Sequence, residues 1–356
     1  MAMMLINCSN CRTPLQLPPG VPAIRCAVCQ AVTTVYQPRA SGNYGPTQPA
    51  PTPPFRPQNH VQYTPTPPHP GGSKKAVVVG IQYKNSNYEL KGCLNDAKCM
   101  KYFLQNRFHF PEASIIMLTE EERDPLKKPT KHNIRMALYW LVQGCKSGDS
   151  LVFHFSGHGS QQRNLIGDEV DGMDETICPV DFQTQGMIVD DEINTAIVRP
   201  LPPGVRLHAI VDACHSGTVL DLPWLYHIDY GRWEDQRSYR SYKGTNGGEA
   251  YSFSGCDDDQ TSADTSALSK VTSTGAMTFC FIQAVERSRG TVTYGSLLND
   301  MRQAIQAANQ GTQLPGGPLT SLVTMLLSGG STAGGLTQRP QLTANEAFDV
   351  NRPFSL

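Results

Sequence analysis

Aspartate and glutamate are missing from the first 88 residues; the first acidic side chain is Glu89. The same stretch carries seven basic residues: Arg12, Arg25, Arg39, Arg56, Lys74, Lys75 and Lys84. The 356-residue chain has 30 Lys and Arg, so 23 remain after Glu89 against 31 Asp and Glu. A cationic head is thus joined to an anionic body of net charge −8, while the whole chain sits at −1. That near-neutral total excludes a protein that coats nucleic acid along its whole surface. The head has the charge to meet an acidic partner, nucleic acid or the body itself.

Long apolar runs are absent too. Nothing approaches the roughly 18 residues a membrane span needs, and the nearest stretch, residues 319–327, is short and contains Thr and Ser. The first 16 residues lack a cationic segment followed by an apolar one, so no secretory signal is expected. The 11 cysteines are an odd number scattered along the chain. They are expected to be reduced thiols in the cytosol or nucleus, apart from one cluster.

That cluster lies at the start. Cys8 and Cys11 form one Cys-x2-Cys pair, and Cys26 and Cys29 form a second after 14 intervening residues. Two such knuckles suit a tetrahedral zinc site of four thiolates, although the gap is a residue short of the usual ribbon range. Two disulfides or four unrelated thiols are the alternative. A unit of residues 1–36 buries too little surface to fold alone, so metal binding would supply folding energy. Residues 37–73 then hold 11 prolines and no acidic residue, which makes a Pro-rich, semi-rigid linker.

Residues 74–356 alternate strand and helix signals. Short apolar runs predict strands over 76–81, 114–118, 150–155, 206–211 and 250–254, with a last strand near 347–350. Helices are predicted over 95–108, around Ile134, Leu138, Leu141, Val142 and Cys145 with Thr130 as cap, and over 276–287 and 294–307. Residues 167–192 are acidic, and residues 225–249 read as an exposed polar loop. This order predicts an α/β fold, a mostly parallel sheet with helices on both faces, whose ligands bind beyond the strands' carboxyl ends.

Two strand ends carry reactive side chains. One runs into Ser156-Gly157-His158-Gly159, the other into Asp212-Ala213-Cys214-His215-Ser216-Gly217. A thiol attacks a carbonyl as thiolate, and an imidazole can accept its proton. The N–H groups of Gly159 and Cys214 are candidates for an oxyanion hole. Strand alternation projects Ser156 with His158 and Asp212 with Cys214. A carboxylate beside the sulfur suits a cationic substrate group. The bland reading is a packed cysteine and a satisfied histidine. His215 is aimed elsewhere by alternation, and His154, inside an apolar run, reads as structural.

The first-domain text, from Asn7-Cys8-Ser9-Asn10-Cys11-Arg12 to Arg25-Cys26-Ala27-Val28-Cys29, resembles the plant zinc finger of the lesion-simulating-disease type. The body resembles the metacaspases of the caspase-like clan. It does so through Phe155-Ser156-Gly157-His158-Gly159, Asp212-Ala213-Cys214-His215-Ser216-Gly217, Gly92-Cys93-Leu94-Asn95-Asp96-Ala97 and the stretch from Ser254 to Ala263. Cys214 follows His158 by 56 residues, close to the ~50 of caspases, whose Gln-Ala-Cys context is absent. Finger, linker and body together resemble a plant type I metacaspase.

That resemblance implies a caspase-like sheet and a His158–Cys214 dyad. It implies cleavage after Arg or Lys, with Asp96, Ser156 and Asp212 lining the acidic specificity pocket. It implies activation by calcium at Asp174, Asp190, Asp191 and Asp221, which as isolated sequence would be solvated acidic loops. Cys93 matches a family cysteine and is expected to be packing. Self-processing is expected at Arg232, Arg237, Arg240 or Lys243, in the loop after the nucleophile. The finger is expected to bind regulatory proteins in cell-death control; no recognition helix is visible, so nucleic acid is not the expected partner. A monomer in the cytoplasm, extending to the nucleus, is expected. The rival reading is a finger-based scaffold whose peptidase activity is dispensable.

Overall fold

The computed structural model describes residues 72–164, 172–213, 217–236, 242–256, 276–288, 291–309 and 339–356, and the backbone of four short strands before them. The chain divides into two units, Met1–Pro65 and Thr66–Leu356. The expected boundaries at 36/37 and 73/74 bracket a stretch largely outside the described residues.

The first unit contains two small antiparallel hairpins. Strand β1 (Met4–Asn7) pairs with β2 (Pro14–Leu17), and β3 (Ala23–Arg25) pairs with β4 (Val32–Thr34). The pairs Asn7 with Pro14 and Arg25 with Val32 close them. Each Cys-x2-Cys pair begins one residue after a hairpin's first strand.

The second unit begins with β5 (Lys74–Gly80), α1 (Cys93–Phe108) and β6 (Ile115–Thr119). Helix α2 (Lys131–Val142) follows, with the Thr130 hydroxyl accepting from the Asn133 amide as its cap. Next come β7 (Ser150–Ser156) and an antiparallel set of β8 (Gly159–Arg163), β9 (Met173–Ile177) and, after the short helix α3 (Phe182–Gln185), β10 (Ile188–Val189). Helix α4 (Asp190–Ile193) runs on into a wider turn over Asn194–Val198. The remainder is β11 (Arg206–Asp212), β12 (Trp224–His227), β13 (Arg232–Asp235), β14 (Glu249–Cys256), α5 (Ala276–Arg287), α6 (Tyr294–Asn309) and β15 (Arg339–Ala344).

Eight strands form one sheet in the order β13-β12-β15-β14-β11-β7-β5-β6. The five from β6 to β14 run parallel; β15, β12 and β13 are added antiparallel. Every residue of β7 is buried, as expected of a strand covered on both faces. Alternation in β5 sends Val77 and Val79 into one apolar cluster with α2 residues, and Ala76 and Val78 into another with α1, α5 and α6 residues. Successive strands leave β5 in opposite directions, β6 on one side and β7 on the other. That is a topological switch point, where α/β sheets place ligands. There the register aligns Gly80, Ser156 and Asp212 in one row.

Two expectations need correction. The last strand is residues 339–344, not 347–350. Pro340 disguised it, since proline is rare inside a sheet. Here Pro340 faces β14 beyond the last β12 pair, so no ladder bond is lost on that side. Residues 225–249 are not one exposed loop either. Strands β12 and β13 form a hairpin in which Tyr226 and Trp233 are paired, with ring centroids 5.2 Å apart. The Trp233 indole donates to the Phe348 carbonyl at 2.8 Å, which ties the hairpin to the body. Among the described residues, no helix is long and apolar enough to cross a membrane.

Candidate active site

The row Gly80–Ser156–Asp212 sets where the residues just past the strand ends can stand. Gly80 is needed where β5 meets α1, because a Cβ there would lie 2.5 Å from the Cys93 carbonyl oxygen. Two residues past Ser156 stands His158, buried at the mouth of the sheet. Its Nε2 lies 2.8 Å from the Tyr88 carbonyl oxygen. A carbonyl only accepts, so Nε2 carries the proton and Nδ1 keeps its lone pair. Nδ1 is buried and makes no hydrogen bond among the described residues. Burial lowers the His158 pKa, and the Tyr88 carbonyl partly offsets this. The imidazole is thus neutral near pH 7, with a base at Nδ1. Gly159 is the first residue of β8, next to this histidine.

Cys214, His215 and Ser216 lie outside the described residues. The strand that delivers them is described: Asp212 pairs with Ser156, and Ala213 is buried. Among the described residues, the buried cysteines are poor nucleophiles. Burial pushes the Cys99 thiol up to about 11, and Cys178 and Cys280 up to about 12. Cys93 is fully buried in the core, as its expected packing role requires. His154 is held down to about 3 by burial and contacts the Thr278 hydroxyl at 3.1 Å, which makes it structural.

The structure brings Asp96, Ser156 and Asp212 together from α1, β7 and β11, all fully buried. The Ser156 hydroxyl donates to Asp96 Oδ2 at 2.6 Å, and the Thr278 amide donates to Asp212 Oδ2 at 2.8 Å. Asp96 Oδ1 is buried and accepts no hydrogen bond among the described residues. Burial raises the Asp96 pKa well above the usual carboxylate range; the Asp212 charge raises it further, and the Ser156 hydrogen bond opposes this. A buried acceptor with nothing to accept is costly. A cation entering between these carboxylates would relieve it.

The four expected calcium ligands are all described. Asp174 accepts from the Asn164 amide. Asp190 accepts from the amides of Glu175 at 3.1 Å and Asp191 at 2.8 Å. Asp221, in a left-handed conformation at φ 51°, is ion-paired with Lys243 Nζ at 2.5 Å, both side chains buried. Asn194 straps this corner by donating to the carbonyls of Leu220, Asp221 and Lys243. Among the described residues, no group of three or more His, Cys, Asp or Glu is placed to hold a metal ion. The donors have calcium's chemistry, but this arrangement does not fit the ion.

The finger cysteines Cys8, Cys11, Cys26 and Cys29 lie outside the described residues. The hairpins that carry them are equivalent, with six residues between the closing pair in each. Two matched knuckles of two thiols fit tetrahedral zinc, which would supply cross-linking of a small unit rather than chemistry.

Of the self-cleavage candidates, Arg232 is exposed on β13, while Arg237 and Arg240 lie outside the described residues. Lys243 is corrected: it is buried against Asp221 and not exposed to a peptidase. Tyr83, Tyr88 and Glu120 were missed, yet the rule of inspecting each strand's carboxyl end reaches Tyr83 after β5 and Glu120 after β6.

The family description "Metacaspase, peptidase C14 domain" matches residues 74–223, and "LSD1 zinc finger" matches residues 8–32. Metacaspase-1 of Arabidopsis thaliana is 63% identical over 361 residues, covering 99% of this chain and 96% of that protein. Metacaspase-2 of the same plant is 51% identical over 99% of this chain and 100% of its own length. Metacaspase-3 is 49% identical over 80% of this chain and 75% of its own.

Proposed function

Because the chain belongs to the metacaspase family, as a plant type I member with an LSD1 zinc finger and the activity of a cysteine-type endopeptidase, we propose that it cuts peptide bonds after Arg or Lys with a His158–Cys214 dyad. The observation that carries this is the buried Asp96 Oδ1, which accepts no hydrogen bond among the described residues, beside Asp212 in the row that also delivers His158. A guanidinium or ammonium satisfies that oxygen and separates the two like charges.

In this reading His158 Nδ1 takes the Cys214 thiol proton, and the thiolate attacks the carbonyl carbon of the basic residue itself. The N–H groups of Gly159 and Cys214 receive the oxyanion. The tetrahedral adduct collapses, and protonated His158 gives its proton to the leaving amine. A thioester remains. His158 then takes a proton from water, whose oxygen displaces the sulfur and releases the carboxylic acid.

Calcium activation enters from the family resemblance alone, and no step is assigned to the metal. Self-processing is placed at Arg232, Arg237 or Arg240, with Lys243 withdrawn because it is buried. The finger serves regulatory protein partners in cell death or stress. Strand β13, at one edge of the sheet, is short and charged, which favours a monomer. The cytoplasm, extending to the nucleus, is the proposed location.

The test is hydrolysis of matched Arg- and Asp-ended peptides by wild type, Cys214→Ala and His158→Ala, with calcium or a chelator. Arg cleavage lost in both variants is expected. Full activity of Cys214→Ala contradicts the dyad, and preference for Asp contradicts the pocket. Lack of all cleavage, with a cell-death phenotype kept by Cys214→Ala, returns the finger-based scaffold.

A further inference from the structure

A tyrosine sits in strained backbone against the catalytic histidine, and the dyad chemistry alone gives no reason for it. Tyr83 has φ 52°, a left-handed conformation that side chains rarely adopt, and its ring is buried. One carboxylate holds that turn. Glu120, directly after β6, accepts at Oε2 from the amides of Gln82 and Tyr83, the latter at 2.9 Å, and at Oε1 from the Lys84 amide at 2.9 Å. Three successive amides on one anion form a charge-assisted anchor.

The anchored tyrosine reaches His158 from the backbone side. Its hydroxyl donates to the Cys178 carbonyl at 2.6 Å and accepts from the His158 amide at 3.0 Å. The Cys178 amide donates to the His158 carbonyl at 3.0 Å. A single hydroxyl therefore closes a ring of hydrogen bonds around the histidine's main chain. The Tyr83 ring also packs on the imidazole, with centroids 4.8 Å apart. Gly157 leaves room for this, since a Cβ there would lie 3.0 Å from the Tyr83 oxygen. Burial raises the phenol pKa, so the hydroxyl keeps its proton.

The same anchor reaches the imidazole itself. The Ser86 hydroxyl donates to the Tyr83 carbonyl at 2.6 Å and accepts from the Tyr88 amide at 3.1 Å. The Leu90 amide donates to the Gln82 carbonyl at 2.8 Å, closing the loop on the far side of Tyr88. The Tyr88 carbonyl is the group that holds Nε2. Main chain and ring of His158 thus hang from one loop, and that loop hangs from Glu120.

We propose that Glu120 and Tyr83 are positioning residues that together fix the orientation and tautomer of His158, keeping its proton on Nε2 and its lone pair on Nδ1. Neither touches substrate. The inference rests on His158 being the base of the reaction.

The experiment uses the full chain with Tyr83→Phe and Glu120→Gln, beside His158→Ala. Steady-state hydrolysis of an Arg-ended peptide is paired with spectra of the 15N-labelled histidine rings. Displacing a catalytic group slightly costs up to about a hundredfold in rate. The expected result is a fall in kcat of about ten- to a hundredfold with KM unchanged, and a wild-type His158 signal of the Nε2-protonated tautomer that becomes a mixture of tautomers. If Tyr83→Phe fails to fold, Glu120→Gln decides, since Glu120 is only half-buried. Wild-type kcat and tautomer in the variants overturn the proposal. So does a fall in kcat that tracks only a lower unfolding temperature while the tautomer stays single. Activity retained by His158→Ala instead overturns the reading of the dyad, a different outcome from either.

Discussion

Two buried acidic corners of this peptidase are built in opposite ways. At the strand ends, Asp96 and Asp212 are held close, and one oxygen of Asp96 accepts no hydrogen bond among the described residues. Seven residues past Cys214, Asp221 is also buried but faces the Lys243 ammonium at 2.5 Å. Lys243 supplies a cation to one oxygen of Asp221, and this pair braces the fold. In the proposed reading, an incoming Arg or Lys supplies the cation to the Asp96–Asp212 corner. Both corners are buried and both are carboxylates; in that reading, the source of the cation separates a binding site from a brace.

The sharpest way to break this comparison is at Asp96. Removing one partner of a buried charged contact costs roughly 2–5 kcal/mol, so Asp96→Asn is expected to lower kcat/KM on Arg peptides by about thirtyfold to several thousandfold. The same change removes a buried charge beside Asp212, so the unfolding midpoint is expected to rise. A midpoint that falls with activity would make Asp96 an ordinary structural residue. The converse holds at the other corner. Lys243→Met leaves Asp221 buried without its cation and is expected to destabilise by about 3–5 kcal/mol, read by urea unfolding. Adding Asp221→Leu to it is expected to recover much of that loss, because the uncompensated charge is gone.

A weaker effect comes from pH. Folding raises the Asp96 pKa, so the folded chain binds this proton more readily than the unfolded chain. Stability from this group is therefore gained as pH falls through the raised pKa, and absent above it. Arg binding has the opposite sign, since a protonated Asp96 holds a cation poorly. KM for Arg peptides is thus expected to rise with acidification, starting above the ordinary carboxylate range, while the unfolding midpoint does not fall at this site. Asp96→Asn should remove both effects. The smallest change is a baseline away from both corners. Thr130→Ala, which removes the α2 cap, is expected to cost about 1 kcal/mol of stability with kcat/KM unchanged.

Much of the frame was legible because β5, β7 and β11 are covered on both faces, so their sequences are nearly unbroken apolar runs. The same rule that finds ligands past strand ends found His158, and it placed Cys214 past β11. The hairpin at residues 224–235 was missed because only one of its faces packs, which reads as polar chain. Residues 339–344 were missed because of Pro340. Asp96 entered only through the family resemblance: it lies 60 residues from Ser156 in sequence, and no local pattern foretells that contact. Lys243 was misread as exposed for the same reason, since its partner Asp221 is supplied by another loop. Glu120 and Tyr83 act through main-chain amides, which leave no mark in side-chain spacing.

The most direct test is cleavage of two peptides that differ in one group, one ending in Arg and one in citrulline, its uncharged isostere, at the scissile bond. Cleavage is predicted after Arg, and little or none after citrulline, because only a cation satisfies the Asp96–Asp212 corner. Equal cleavage of the two would mean that shape, not charge, fills that corner, and would contradict a pocket that reads charge.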